Sequence, residues 1–485
     1  MARVTDGLTP PLVWKYFEAI SEIPRGSKNE TAIANYVMKT AKSLGLTSAQ
    51  DRVGTVIVRK PASKGREKSP SVCLQGHLDM VCEKTPETRH DFLKDPIELK
   101  LVDGFLMANG TTLGADNGIA VAANLALMED TSAVHGPLEF LFTVDEETGL
   151  TGASHLEPGF VKSKILLNLD SEEEGELYVG CSGGRDTQGT WPLKFETTPK
   201  GWTAWSITVG GLRGGHSGLE IDKNRGNAIK ILTRLVVAAV AEGARVSSME
   251  GGNKRNAIPR DAKAVVCVPR AKADRMKAAI KTLVPALAAE ILSVEPTFAM
   301  GFAAIASTKG IRLWPRASQT RILHTLTALP HGVIKMSSDI PGLVETSTNV
   351  AVLTTDKKGV ALETSQRSSV GSENADIVNT VSAIFTLGGA NVRSSDGYPG
   401  WKPNLQSPIL KTAQDTYKKM FGLDPAVKAV HAGLECGIIG EKYPGIDMVS
   451  FGPTMTGVHS PDEKLEVATV RRFYDFLKGI LEAVK

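Results

Sequence analysis

Short, nearly continuous apolar runs separated by helical stretches constrain this chain most. They lie at residues 55–58, 71–75, 138–143 and 165–169, and a long apolar helix over 118–128 separates the second from the third. A strand that is apolar at successive positions must be covered on both faces, and helices between such strands supply the cover. The pattern predicts an α/β fold with a mostly parallel sheet flanked by helices. Two helices precede it: one over 11–20, entered through Thr9 and Pro10, and one over 31–44, stopped by Gly45.

Beyond residues 180–184 the pattern changes. Half-exposed strands are expected at 204–209 and 262–268, and amphipathic helices at 227–241 and 276–292. Runs at 348–354 and 360–365 flank Asp356, Lys357, Lys358 and Gly359, the signature of a hairpin. Residues 188–391 therefore read as an inserted α+β lid domain with an antiparallel sheet. It exceeds the commonest domain size of ~100–150 residues, which leaves room for two related halves. Helix, strand and helix then return at 408–420, 447–451 and 467–484. The catalytic domain is thus expected in two parts, 1–187 and 392–485.

Composition narrows the function classes. At 485 residues, 42% apolar and 22% charged, the chain resembles an ordinary globular protein of more than one domain. Its net charge of +3 is spread without a basic run, so nucleic acid is not an expected partner. The five cysteines form no C-x-x-C pair and fit a reduced compartment. The N-terminus lacks a signal-peptide pattern, and the apolar run at 235–240 falls far short of the ~20 residues that cross a bilayer. The expectation is a cytoplasmic protein with no membrane partner.

Five signals carry chemistry. His77 and Asp79 follow the second strand, and Asp116 stands between Gly114 and Gly118 at a helix entrance. Asp145, Glu146 and Glu147 end the third strand, Asp170 ends the fourth ahead of Glu172, Glu173 and Glu174, and His459 follows the strand at 447–451. Each alone has an ordinary explanation as a cap, a solvated strand end or a loop histidine. Their common place at the carboxyl ends of strands, where α/β sheets bind ligands, makes them one candidate site. Imidazoles mixed with carboxylates suit Zn²⁺, Mn²⁺ or Co²⁺, whereas Ca²⁺ takes oxygen alone. So many carboxylates admit two ions bridged by one acid, a water between them and a further acid to take its proton. There is no phosphate-binding G-x-x-x-x-G-K-[ST] loop, no H-E-x-x-H helix and no G-x-S-x-G elbow.

The segments GHLDMV, HDFLKDPI, TTLGADNGIA, DEETG, NLDSEEEGELYVGCSGG, LRGGHSG, RNAIPR, YPGW, HAGLECG and TGVHSPDE, in this order, resemble the dinuclear metallopeptidases of the aminoacylase and carboxypeptidase G2 type, M20. Within that family they are most similar to the aminoacyl-histidine dipeptidase branch; residues 290–326 match least. The resemblance implies that Asp116 bridges two divalent ions, zinc above all, with manganese or cobalt as alternatives. It implies that His77 and Asp170 complete one site, that Glu147 and His459 complete the other, and that Asp79 orients His77. Glu146 falls on the general base that passes a proton from the bridging hydroxide's water to the leaving amine. His216 falls on the lid histidine that stabilises the oxyanion, from its own chain or across a homodimer. Asn256 and Arg367 resemble substrate-binding lid residues, Arg367 for a free carboxylate, and His431 and Glu435 resemble pocket walls. The implied substrate is a small peptide, a dipeptide of the Xaa-His kind such as carnosine, with Glu172–Glu174 available to its free amine. An N-acyl amino acid deacylase and a metal-binding scaffold without turnover are the alternatives.

Overall fold

The computed structural model describes residues 3–485. The chain divides into two compact units: Met1–Gly180 with Trp401–Ala429 and Leu434–Lys485, and Cys181–Gly400 with Val430–Gly433.

The first unit is built on an eight-stranded sheet in the order Thr47–Gln50, Val56–Lys60, Leu138–Thr143, Val72–His77, Ile165–Asn168, Asp447–Ser450, Glu176–Cys181, Ala426–Val430. The four central strands run parallel, and antiparallel pairings flank them on both sides. Every residue of Val72–His77 and Leu138–Thr143 is buried, as their largely apolar character leads one to expect, with Gln75, His77, Glu139 and Thr143 as buried polar exceptions. Full burial of side chains such as Leu74, Phe140 and Phe142 contributes about 1.5–3 kcal/mol each. The helix Ala115–Glu129 is buried almost along its length and packs between the sheet and the helix Pro11–Ser21. Gly76 permits that close approach: a Cβ there would collide with the Asn117 side chain and stand 2.7 Å from the Ala120 Cβ. The absent side chain lets the helix entrance lie against the strand end that carries His77.

The sequence pattern shows this centre but not the edges. Thr47–Gln50 is exposed throughout and Ala426–Val430 is half-buried beyond its exposed first residue, and neither carries the apolar run of a doubly covered strand. A small antiparallel sheet of Met455–Thr456, Lys464–Glu466, Phe105–Ala108 and Leu99–Val102 was likewise not expected. It frames the loop that bears His459.

The second unit holds one nine-stranded antiparallel sheet. Its order is Ala299–Ile305, Trp202–Gly210, Ala262–Pro269, Arg245–Gly251, Val344–Thr355, Gly359–Ser368, Gly183–Pro192, Asn391–Ser394, with Gly332–Met336 also paired to Val344–Thr355. Its two arms meet at Gly251 opposite Leu353. Counted outward from that junction, both arms show the same succession, each with a helix after its second strand in the chain: Ala273–Ile291 in one and Gly371–Leu387 in the other. The helix Ala228–Ala241 starts at Asn227, whose side chain accepts from the Ile229 and Lys230 amides, and buries Leu232, Leu235 and Val236. The expected hairpin is present, with Asp356 Oδ1 accepting from the Lys358 and Gly359 amides in its turn.

The units divide at 180/181 and 400/401, where 187/188 and 391/392 were expected. The cause is the strand Gly183–Pro192, which pairs with Gly359–Ser368 and so draws the residues before 188 into the second sheet. Residues 430–433 also return to the second unit, where the Ser182 amide donates to the Val430 and Ala432 carbonyls.

Candidate metal centre

Strand ends and one helix entrance bring the chemistry together in the first unit. His77 closes its strand with Nε2 3.1 Å from Asp116 Oδ1 and 3.5 Å from Asp170 Oδ1, while Nδ1 stands 3.2 Å from Asp79 Oδ1. His459, on a backbone of φ 62°, places Nε2 3.1 Å from Asp116 Oδ2 and 3.0 Å from Glu147 Oε2. Asp116 therefore turns one oxygen to each imidazole. Two trios result, His77–Asp116–Asp170 and Asp116–Glu147–His459, each with donor atoms within 4.8 Å of one another.

The supporting groups are specific. Asp79 accepts from the Ser27 hydroxyl at 2.8 Å and from the Glu146 and Glu147 amides at 3.0 and 3.2 Å, so one carboxylate fixes both the His77 ring and the acidic turn. Asp145, which sequence reasoning could not rank against its neighbours, sits at φ 52° and accepts from the Thr148 and Thr151 hydroxyls instead of joining either trio. Asn117 accepts from the His77 amide and donates to the Leu169 carbonyl, bridging three ligand-bearing segments. The Asp116–Asn117 peptide is cis, the irregular backbone that its flanking glycines foreshadow.

Two residues escaped sequence reasoning. Glu463 accepts from four consecutive amides, Leu113 to Asp116, at 2.7, 2.9, 2.8 and 3.3 Å, and so holds the Asp116 loop as a cradle. The buried Arg25 donates to the Leu78 and Asp79 carbonyls at 3.0 Å each and to the Gly114 carbonyl, tying the two loops together. Glu463 lies within the segment TGVHSPDE, which could have flagged it; nothing local marks Arg25.

The charges are crowded. Burial opposes a charged His77, yet Asp170, Asp116 and Asp79 outweigh it and raise its pKa well above normal. Hydrogen bonds to Asp116 and Glu147 raise His459 to about 11. Burial and neighbouring acids raise Glu146 well above the usual carboxylate range, and Glu147 and Asp170 also rise, burial being the leading cause in each. Asp116 alone of the ligand set is held low, because its two imidazole partners overcome its burial. Protons on the imidazoles thus stand where cations would balance the acids. The buried Glu147 Oε1, which has no hydrogen-bond partner among the described residues, is an acceptor left over for such a cation. The residues fit a pair of divalent ions.

Around this rim, Glu174 is taken by Tyr417 and Arg472, and Glu173 by Lys428, while Glu172 has no side-chain partner among the described residues and burial raises its carboxyl to about 7. Glu435 is wholly buried and accepts from Gln75 Nε2 and Thr143 Oγ1, both at 2.6 Å, so it braces strands beneath the rim.

The remaining expected residues lie in the second unit. His216 Nδ1 accepts from the Gly218 and Leu219 amides at 3.3 and 3.1 Å, which leaves the proton on Nε2. Burial and the Arg367 charge lower its pKa to about 4, so the ring is neutral at pH 7. His216 and exposed Asn256 line a cleft of about 1210 Å³ that includes none of the metal-site residues. Arg367 is only 7% exposed, and the described residues offer it no carboxylate. His431 is strung between the Ser182 and Ser347 hydroxyls at 2.6 and 2.7 Å.

A parallel-centred α/β unit with imidazoles and carboxylates gathered at its strand ends makes a candidate metal-binding centre. The chain belongs to peptidase family M20/M25/M40, whose model matches residues 73–483, and is therefore a peptide hydrolase. It is 40% identical over 478 residues to the cytosol non-specific dipeptidase of Escherichia coli (strain K12), covering 98% of each chain. Aminoacylhistidine dipeptidase from Vibrio alginolyticus superposes with a TM-score of 0.92 at 40% identity, over 100% of this chain and 98% of that one. Aminopeptidase PepT from Bacillus cereus ATCC 10987 shares the fold at 17% identity and a TM-score of 0.57, over 98% of this chain and 99% of that one. Among the described residues no helix is long and apolar enough to cross a membrane.

Proposed function

We propose that the protein is a cytoplasmic dipeptidase that works with two divalent ions, Zn²⁺ by preference, with Mn²⁺ and Co²⁺ as alternatives, and acts on dipeptides including the Xaa-His kind. The observation that carries this reading is Asp116, whose two oxygens serve two separate donor trios. The 40% identical relatives, both named as dipeptidases, support the substrate class.

His77 and Asp170 would hold one ion, Glu147 and His459 the other, and Asp116 both. Bound there, the ions would polarise the scissile carbonyl and make a water between them nucleophilic at neutral pH. Glu146 would take that water's proton and deliver it to the leaving amine; burial, with Asp170, Glu435 and Glu147 beside it, raises its pKa well above the usual carboxylate range, which favours holding the proton it passes on. Asp79 keeps His77 oriented. The neutral His216 offers its Nε2–H to an oxyanion without adding a charge that would repel cations. Arg367, buried without a carboxylate, grips the dipeptide's own, with Asn256 as a further contact.

Comparing turnover of free dipeptides with that of N-acetyl amino acids, before and after chelation, tests this. Metal-dependent cleavage of the dipeptides is expected. Preference for the acetylated compounds would replace the reading with a deacylase.

A further inference from the structure

Four residues lie in one row across the second unit's sheet. Ser347 pairs with Arg367, Arg367 pairs with Gly184, and Gly184 bridges to Tyr398. Directly paired residues project on the same face of an antiparallel sheet. Gly184 has no side chain to fill its place in the row, and the Tyr398 ring occupies it. A Cβ at Gly184 would stand 2.7 Å from the phenol oxygen, and one at Gly433 would stand 2.8 Å from the ring's Cε2. The Gly184 and Tyr398 amides each donate to the other's carbonyl, at 3.0 and 2.9 Å, so the ring is clamped at its base as well. Reaching over one strand, the Tyr398 hydroxyl accepts from Arg367 Nη1 at 2.9 Å.

The donors at this spot are not spent. Arg367 Nε is buried with no partner, and no carboxylate pairs with the guanidinium among the described residues. The phenol accepts from Arg367, and its own proton goes to no acceptor among them. Burial works to keep that proton in place. A buried guanidinium without an anion is costly unless an anion arrives, and a neutral O–H beside it supplies a second donor without a second charge.

We propose that Tyr398 is a specificity-determining residue that donates its hydroxyl proton to the carboxylate of the bound dipeptide while holding Arg367 in position to grip the same group. The inference rests on the dipeptidase reading for the identity of the anion. It adds to Arg367 a neutral donor, and it accounts for Gly184 as the gap through which that donor reaches.

The test uses the full-length, metal-loaded chain with Glu146→Gln to suppress turnover. Its affinity for a dipeptide and for the same dipeptide as the C-terminal amide is measured with and without Tyr398→Phe, which keeps the ring and removes only the hydroxyl. Loss of a hydrogen bond to a charged group is expected to weaken the free acid about 10- to 100-fold and to leave the amide within about twofold. The amide is the control for folding, because a merely structural role for the hydroxyl would weaken both ligands alike. Equal losses, or no loss for the acid, overturn the proposal. Turnover with Glu146 intact separates this from the functional reading. If the acid is bound selectively through Tyr398 but never cleaved, the dipeptidase reading fails and the carboxylate clamp stands; if dipeptides are cleaved with no preference for acid over amide, the clamp fails alone.

Discussion

Glu146 and Glu147 are neighbours in the chain with opposite surroundings. Glu147 points an oxygen at His459, 3.0 Å away, whereas Glu146 forms no ion pair among the described residues; burial raises both carboxyls, Glu146 well above the usual range. On the proposed reading a ligand and a base differ by one residue of backbone, held through the two amides that donate to Asp79. Glu146→Gln is expected to lower kcat by about 10² to 10⁴ while bound metal is retained, as removal of a general acid-base should; near-normal kcat would assign the proton transfer elsewhere. At this scale the sequence was informative about which residue types converge and silent on their order. Asp145, Glu146 and Glu147 are three successive carboxylates that the sequence does not rank, and only the left-handed backbone at Asp145, with Thr148 and Thr151 closing on it, removes the first from the rim. Arg25 was invisible because its partners are backbone carbonyls at residues 78, 79 and 114, with no local pattern to mark them.

Elements position these residues through buried polar supports. Glu463 satisfies the amides of Leu113 to Asp116, so Glu463→Gln, which sets an NH₂ against N–H donors, should cost about 2 kcal/mol or more in unfolding free energy and weaken metal binding. Denaturant unfolding of the metal-free and loaded protein checks both; an unchanged midpoint would deny Glu463 its supporting part. In the second unit His431 ties the returning segment 430–433 to the sheet through Ser182 and Ser347. Burial, then the Arg367 and His216 charges, lower its pKa to about 3. Because the folded value lies below the ordinary value of ~6.5, the unfolded chain binds the proton first, and stability present above pH 6.5 is lost as pH falls toward 3. Between pH 7 and pH 4.5 the wild-type chain should lose roughly 2 kcal/mol more than His431→Gln, read as the slope of unfolding free energy against pH. Parallel slopes would show that His431 does not titrate in this way. The central strands were legible because both faces are covered; the exposed edge Thr47–Gln50 and the helix Arg316–Ala328, rich in polar residues, gave no comparable periodicity.

The whole molecule gives separate units to cation and anion chemistry. The first gathers carboxylates and imidazoles that call for metal ions, and the second buries a guanidinium that calls for a carboxylate. The two-unit plan was legible from the change in strand style, but the boundaries were not, since Gly183–Pro192 reads as a continuation of the first unit until its partner Gly359–Ser368 is known. On the proposed reading Asp116 joins two ion sites into one hydrolytic centre. Titrating the chelated chain with Zn²⁺, while bound metal is measured by elemental analysis and dipeptide hydrolysis is followed in the same samples, tests it most directly. Two ions per chain at full activity, and the loss of both from Asp116→Asn, are expected; full activity without metal, or with a single ion that survives Asp116→Asn, would overturn this role for Asp116.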